Sequence, residues 1–260
     1  MSVALIAAAA LIGLLVGSFL NVVIARVPAG ESIVRPRSRC PRCLTEIRSR
    51  DNIPVISWLV LRAKCRDCGL PISARYPAVE LLTAVVFGLL AWAIGWHADL
   101  PAFLYLGAVG VALAAIDIDT QRLPDVLTLP SYAVGLVLLA VAAGVDGTWD
   151  AYLRAVLGMA ALYAFYFVLL LVKSNGMGFG DVKLAGVLGL YLAWLGWGIL
   201  AAGALLGFVL GAVLSLGLMA VGRAGRKTKI PFGPFMLTGA LVAVLAGQWL
   251  VDGYTGLSGI

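Results

Sequence analysis

Long apolar stretches with almost no charge recur along this 260-residue chain and leave few folds open to it. Hydrophobic residues make up 62% of the sequence and charged residues only 12%, unlike the balance of an ordinary soluble domain. A helix of about 20 apolar residues can cross the hydrocarbon layer because it satisfies its own backbone hydrogen bonds. The sequence therefore predicts an all-α polytopic membrane protein.

About eight stretches are long enough to be predicted as transmembrane helices. They are residues 3–25, 78–97, 101–117, 126–145, 152–172, 182–196, 199–221 and 232–251. Only residues 195–198 separate the sixth stretch from the seventh, and a re-entrant pair there would leave the remaining topology unchanged. The largest segment outside these stretches is residues 26–77.

The basic residues predict how the helices are oriented. Residues 26–77 are densely basic, and the loops with Arg122, Lys183 and the basic segment 223–229 fall on the same side, which leaves only Arg154 opposite. Positive charge accumulates on the cytoplasmic side of membrane proteins, so we expect a retained first helix with its N-terminus outside. The net charge of +6 is then a topology signal and does not indicate nucleic-acid binding.

All four cysteines lie in the predicted cytoplasmic loop, as the pairs Cys40 with Cys43 and Cys65 with Cys68. Two CxxC pairs at this spacing are typical of a closed tetrahedral zinc site with four thiolate ligands. Two disulfides are the alternative, but the cytoplasm is reducing. We expect a structural Zn²⁺ ion whose binding contributes to the folding of this small loop.

Two acidic motifs lie at the ends of predicted spans. In the expected topology Asp117 ends a helix that runs inward and Asp181 begins one that runs outward, so both reach the cytoplasmic boundary. Acids in a bilayer are costly, and two carboxyls that share a proton can activate water and protonate a leaving amine. A helix cap at Asp181 and a solvated helix end at Asp117 are the structural alternatives.

Several neighbours could support this pair of acids. Asp119 and Asp125 are expected to tune it, whereas Lys183 could either orient the acids or mark the membrane surface. Gly178 and Gly180, with Gly176 before them, suit a loop with unusual backbone angles that admits an extended substrate. A turn before a helix or tight helix packing explains the same glycines.

Taken in order, the motifs resemble those of the bacterial type IV prepilin peptidases, which are leader peptidases of the GxGD aspartyl protease class. A single GxGD motif would be weak support, but the similarity covers nearly the whole chain in six blocks. These are residues 17–28, the two CxxC pairs, and residues 75–84, 117–125, 176–184 and 232–235.

The resemblance implies a function. It implies that an enzyme of the bacterial inner membrane cleaves the basic leader of type IV prepilins or pseudopilins after a glycine. It also implies methylation of the new N-terminal residue, with S-adenosylmethionine as the methyl donor. On the family pattern, Asp117 and Asp181 are the catalytic acids.

Asn21 and Glu80 are candidates for the methyl-transfer activity. Each lies about one turn inside a predicted span, so adjacent helices could bring the two together to hold an amine. An interhelical hydrogen bond is the structural alternative. We therefore expect residues 1–100 to carry methyl transfer and residues 101–260 to form the protease domain.

Other functional classes fit less of the sequence. A GxGD protease without methyltransferase activity would leave the N-terminal blocks without a role. An ion-coupled transporter would place its acids near the bilayer midplane and often show repeats. A zinc-binding scaffold would explain residues 26–77 but neither aspartate motif.

Overall fold

In the computed structural model, residues 2–172, 177–222, 225, 228 and 230–258 are described. These residues form helices and no β-strand, which confirms the all-α class. Gly176 and most of the basic segment 223–229 lie outside them. The helices are α1 (Val3–Arg26), α2 (Ile56–Val60), α3 (Arg75–Ile94), α4 (Leu100–Thr120), α5 (Asp125–Asp146), α6 (Trp149–Val172), α7 (Phe179–Leu195), α8 (Trp197–Ala220) and α9 (Gly233–Ser258).

The long helices coincide with the predicted apolar stretches. Helices α1, α3, α4, α5, α6 and α8 are each long and apolar enough to cross a membrane. Helix α7 has 17 residues and rises about 26 Å, and the apolar part of α9 is limited to Gly233–Gly247. A multi-pass membrane protein is confirmed, but the count of eight spans is not.

The first of two compact units comprises Met1–Trp96 and Gly107–Ala112. Helices α1 and α3 pack closely within it because glycines on α1 leave room for the α3 backbone. A Cβ atom added at Gly13 or Gly17 would lie 2.7 Å from the Cα atom of Ala84 or Glu80, respectively. Small residues four positions apart are a common contact surface between membrane helices.

The second unit comprises His97–Leu106 and Leu113–Ile260. Helix α7 lies at its centre, since every side chain from Val182 to Trp194 except Lys183 is buried. Helices α5, α6, α8 and α9 all contact it. A helix surrounded by protein in this way can be shorter than the bilayer is thick.

Arg154 caps the far end of α7. Its Nε atom donates to the carbonyl of Ala193 at 2.7 Å, and a terminal guanidinium nitrogen donates to the carbonyl of Trp194 at 2.6 Å. These carbonyls have no partner within a helix that ends at Leu195. Arg154, the exception in the predicted charge distribution, therefore satisfies a helix end. The chain then turns into α8 at Gly196, whose φ of 156° favours glycine.

Candidate active site

Asp117 is buried in the last turn of α4, where only 4% of its surface is exposed. The backbone N–H of Gly233 donates a hydrogen bond of 3.0 Å to its Oδ2 atom. Gly233 is the first residue of α9, so this amide is one of those that a helix leaves without an internal partner. The beginning of α9 thus fixes one oxygen of the Asp117 carboxylate.

Asp181 lies in the first turn of α7 and is 8% exposed. Its Oδ2 atom accepts the N–H of Gly178 at 3.0 Å, and its own N–H donates to the carbonyl of Gly178 at 3.1 Å. The Asp181 side chain therefore closes the first turn of α7 from the third helical position. The N-cap residue is Gly178, and not Asp181 as the structural alternative had it. This contact uses one carboxylate oxygen and is compatible with a chemical role for the other.

Leu123 connects the surroundings of the two acids. A Cβ atom at Gly180 would lie 3.0 Å from Leu123 Cβ, and one at Gly233 would lie 3.3 Å from Leu123 Cδ2. Gly180 precedes Asp181 in the chain, and the backbone N–H of Gly233 is hydrogen-bonded to Asp117. The two carboxylates lie within electrostatic range of each other. The structure therefore brings together the two acids that the sequence paired across 64 residues.

The glycines before Asp181 do not have the unusual backbone angles that we expected. Gly178 has φ −84° and ψ 151°, an extended conformation open to any residue, and Gly180 is helical. The expectation was wrong for these two positions. Gly180 is explained instead by its close approach to Leu123, which corresponds to the packing alternative.

Lys183 pairs with Asp125 and not with either buried acid. Its Nζ atom contacts both carboxylate oxygens of Asp125, at 2.6 and 2.8 Å, and lies 4.9 Å from the centroid of the Phe179 ring. Asp125 is the first residue of α5. Asp119 is exposed at the end of α4. Lys183 thus joins the start of α7 to the start of α5.

Tyr166 and Gly233 belong to the site although sequence reasoning gave neither a role. Tyr166 is 1% exposed, lies within electrostatic range of Asp181, and packs against the rings of Phe208 and Phe232. A tyrosine inside an apolar stretch carries no signal of this placement. The sequence does contain a signal for Gly233, because this residue precedes a proline at a helix start in a block shared with the family.

An apolar groove of about 410 Å³ lies beside the beginning of α7. Its lining comes from α5, α6 and α7, is mostly aliphatic or aromatic, and carries the charged Lys183 at one position. The lining residues are Leu129, Tyr132, Met159, Ala160, Tyr163, Phe179 and Lys183. Two of the lining residues, Phe179 and Lys183, are therefore each two residues from Asp181 in the chain.

The four cysteines form a second site, within the first unit. The Sγ atoms of Cys40, Cys43, Cys65 and Cys68 all lie within 4.8 Å of one another, and all four are free thiols. Four thiolates around one zinc ion at about 2.3 Å would place the sulfur atoms about 3.8 Å apart. The observed cluster fits such an ion with little adjustment, and the disulfide alternative is not formed.

The two CxxC turns have matching backbone geometry. The N–H of Leu44 donates to the carbonyl of Cys40 at 2.9 Å, and the N–H of Gly69 donates to that of Cys65 at 3.0 Å. Leu44 and Gly69 both have positive φ, 61° and 69°. Hydrogen bonds from the hydroxyl and the amide of Thr45 lower the pKa of Cys43 to about 6, which favours the thiolate form that binds metal.

Asn21 and Glu80 both make hydrogen bonds to the backbone. The Nδ2 atom of Asn21 donates to the carbonyl of Tyr76 at 3.1 Å and more weakly to that of Gly17 at 3.3 Å. The Oε2 atom of Glu80 accepts the N–H of Val55 at 2.8 Å. Asn21 thus joins α1 to the start of α3, and Glu80 joins α3 to the loop.

Comparison with known proteins shows the family of the chain. Residues 11–94 match the Bacterial Peptidase A24 N-terminal domain, and residues 103–216 match the Type IV leader peptidase family. Proteins named prepilin leader peptidase/N-methyltransferase are similar over most of their length. The one from Stutzerimonas stutzeri is 39% identical over 96% of this chain and 94% of its own.

Two further relatives carry the same name. The protein from Pseudomonas aeruginosa is 38% identical over 96% of this chain and 93% of its own. The protein from Myxococcus xanthus is 44% identical over 84% of this chain and 64% of its own. No solved structure matches the chain. The chain belongs to the type IV leader peptidase family.

Proposed function

We propose that this protein is an intramembrane aspartyl endopeptidase that removes the basic leader of type IV prepilins or pseudopilins after a glycine. The observation that carries the proposal is the pair of buried acids, Asp117 and Asp181, around Leu123. The names of the relatives supply the class of substrate. Protease activity without methyl transfer is the alternative.

The contacts of the two acids support acid–base hydrolysis. Each carboxylate has its Oδ2 atom held by a backbone N–H, from Gly233 for Asp117 and from Gly178 for Asp181. Their Oδ1 atoms are then available to share a proton and to contact water. Because two such acids titrate as one coupled pair, the base is not assigned to either residue.

In this mechanism one carboxylate removes a proton from water while the water oxygen bonds to the scissile carbonyl carbon. The other carboxyl gives its proton to the amide nitrogen as the C–N bond breaks. The products are the leader with a new carboxyl terminus and the mature protein with a free amine. Burial of both acids lowers the local dielectric constant and strengthens their interaction.

The substrate can be placed by its chemistry. A precursor with a basic leader and a following apolar segment would keep the apolar segment in the bilayer and the leader in water. The apolar groove beside Phe179 and Lys183 is a suitable position for the side chains that follow the cleaved bond.

N-methylation of the new terminus is the second activity we propose, with S-adenosylmethionine as co-substrate. It rests on the names of the relatives and on the match to the N-terminal domain. Asn21 and Glu80 remain its candidate residues within residues 1–100. Both side chains also make backbone hydrogen bonds, Asn21 to Tyr76 and Glu80 to Val55.

Zn²⁺ is the metal we propose for the four cysteines. Held by Cys40, Cys43, Cys65 and Cys68, the ion would cross-link two short turns and add binding free energy to the stability of the loop. Elemental analysis of freshly purified, reduced protein is expected to give one zinc per chain. Cysteine-to-serine variants with unchanged zinc content would exclude this site.

The expected setting is the bacterial inner membrane, with residues 26–77 and both acids on the cytoplasmic side and the N-terminus outside. The basic residues of the loop support this orientation. A cysteine-reactive reagent that cannot cross the membrane tests it. The loop cysteines should react only after the inner membrane is opened and the metal removed.

Asp117→Asn and Asp181→Asn variants test the protease assignment, with Asp119→Asn as the control. Purified proteins are incubated in detergent with a precursor peptide, and leader release is followed by mass spectrometry. Either buried substitution should abolish cleavage because half of the proton-sharing pair is lost, whereas Asp119→Asn should retain most of it. Substantial turnover by Asp181→Asn would refute the assignment.

A further inference from the structure

Helix α2 exposes a small apolar face whose function the protease site does not explain. Ile56, Leu59 and Val60 are spaced i, i+3 and i+4 and are 58%, 61% and 71% exposed. The opposite side of the helix is occupied, since Ser57 is buried and its hydroxyl donates to the carbonyl of Arg50 at 3.1 Å. We call the exposed residues, Ile56, Leu59 and Val60, the α2 apolar face.

Contacts within the first unit place the start of α2 beside α1 and α3, two of the helices long and apolar enough to span a membrane. Val55, the residue before α2, donates its N–H to Glu80 in the second turn of α3. Glu80 in turn packs against Gly17 of α1. Gly17 lies nine residues before the end of α1 at Arg26, or about 13 Å along the helix axis. The start of α2 therefore lies within about one side-chain length of Glu80. Glu80 is level with Gly17, which lies inside the part of α1 that can span the membrane.

The charges that follow α2 complement an anionic surface. Arg62 and Lys64 are exposed and have no acidic partner among the described residues. The nearby acids Asp51 and Asp67 are already paired with arginines, at 2.6 and 3.8 Å. An exposed apolar face beside unpaired basic residues is the usual composition of a segment that lies in the membrane interface.

We propose that the α2 apolar face is an interfacial anchor inserted into the lipid leaflet on the loop's side of the membrane. Arg62 and Lys64 would contact the phosphates of anionic lipid headgroups there. The insertion, together with the Glu80 hydrogen bond, holds the metal-binding loop against the membrane. Lipid is the occupant that the depth and the charges favour over a second protein.

The test uses the full-length protein in nanodiscs that contain phosphatidylglycerol and a phosphatidylcholine brominated on its acyl chains. Leu59→Trp places a reporter on the α2 apolar face. Val34→Trp is the matched control, because Val34 is 77% exposed in the same loop. It lies near Arg26, the last residue of α1, whereas α2 begins near the level of Gly17. The fluorescence of the seven native tryptophans is subtracted with the unsubstituted protein.

Bromine should quench the Leu59→Trp reporter at least about two-fold more than the control, and aqueous acrylamide should quench the control more. Replacing phosphatidylglycerol with phosphatidylcholine should weaken bromine quenching at position 59. Arg62→Gln with Lys64→Gln should remove this dependence on lipid charge. Thermal unfolding and zinc content are compared first, so that a misfolded variant is recognised.

Two results would overturn the proposal. Equal quenching of both reporters by acrylamide would show that the α2 apolar face lies in water. A reporter at position 59 that is shielded from both bromine and acrylamide would show that protein, such as a second copy of the chain, covers it.

Discussion

Replacing Gly233 by alanine should disturb the active site through a single methyl group. The new Cβ atom would lie 2.8 Å from Asp117 Oδ2 and 3.3 Å from Leu123 Cδ2. Carbon and oxygen atoms that are not bonded do not approach to 2.8 Å without repulsion, so the carboxylate or the start of α9 must move by several tenths of an ångström. The same movement weakens the hydrogen bond from the Gly233 N–H.

The size of the effect follows from that hydrogen bond. A hydrogen bond to a charged group contributes about 1.5–3 kcal/mol. Since each 1.36 kcal/mol of lost transition-state stabilisation corresponds to a tenfold loss in rate, cleavage should slow by about 10- to 160-fold. The loss should appear mainly in kcat, because the apolar groove that we assign to the substrate is untouched.

The assay is leader release from a precursor peptide by purified enzyme in detergent, with kcat and KM measured separately. Gly217→Ala in α8 is the matched control, because a Cβ atom there meets no other atom within 4 Å. It should leave both constants unchanged. Cleavage by Gly233→Ala within about two-fold of wild type would show that the amide at the start of α9 does not position Asp117.

Three further outcomes are expected. Lys183→Met and Asp125→Asn should each slow cleavage less than tenfold, and the double variant should be no slower than the worse single one, because the pair touches neither acid and Asp125 is partly exposed. Gly17→Ala should destabilise the protein by about 1–3 kcal/mol in thermal unfolding, whereas Gly88→Ala, whose Cβ atom finds ordinary contacts of 3.7 Å, should not. In metal-free protein at pH 7, iodoacetamide should modify Cys43 before Cys68, since the pKa of Cys43 is lowered to about 6 whereas that of Cys68 is raised, and this preference should fade below pH 6.

The parts of this protein that were predictable from sequence depend on local composition. Helices α1, α3 and α4 follow from the length of apolar stretches, and the cysteine cluster from two identical spacings. Each of these features is specified within a short segment. The chemistry of the thiolate ligands restricts the cysteines to one arrangement. The thickness of the bilayer does the same for the lengths of the helices.

The parts that were not predictable depend on contacts between distant segments. The Gly233 amide reaches Asp117 across 116 residues, and Lys183 reaches Asp125 across 58. Nothing in either local sequence indicates the other partner. Gly180 shows the same limit, because a glycine required by the approach of Leu123 is indistinguishable in sequence from one required by backbone angle.

Glu80 provides the last test, because its structural and chemical roles respond differently to the same substitution. Glutamine keeps a side-chain oxygen that can accept the Val55 N–H, now 2.8 Å from Oε2, but has no negative charge to hold an amine. Glu80→Gln should therefore keep the loop folded and leader cleavage nearly unchanged while N-methylation falls. Glu80→Ala should also release Val55 and loosen the loop.

Mass spectrometry of the mature substrate measures both activities together, since leader loss and the added methyl group have different masses. If Glu80→Gln methylates as well as wild type and only Glu80→Ala fails, the carboxylate serves solely to hold the loop, and methyl transfer must be sought elsewhere in residues 1–100. If Glu80→Gln loses both activities equally while remaining folded, the two reactions share one site. Selective loss of methylation is the only result that makes the charge of Glu80 part of the chemistry.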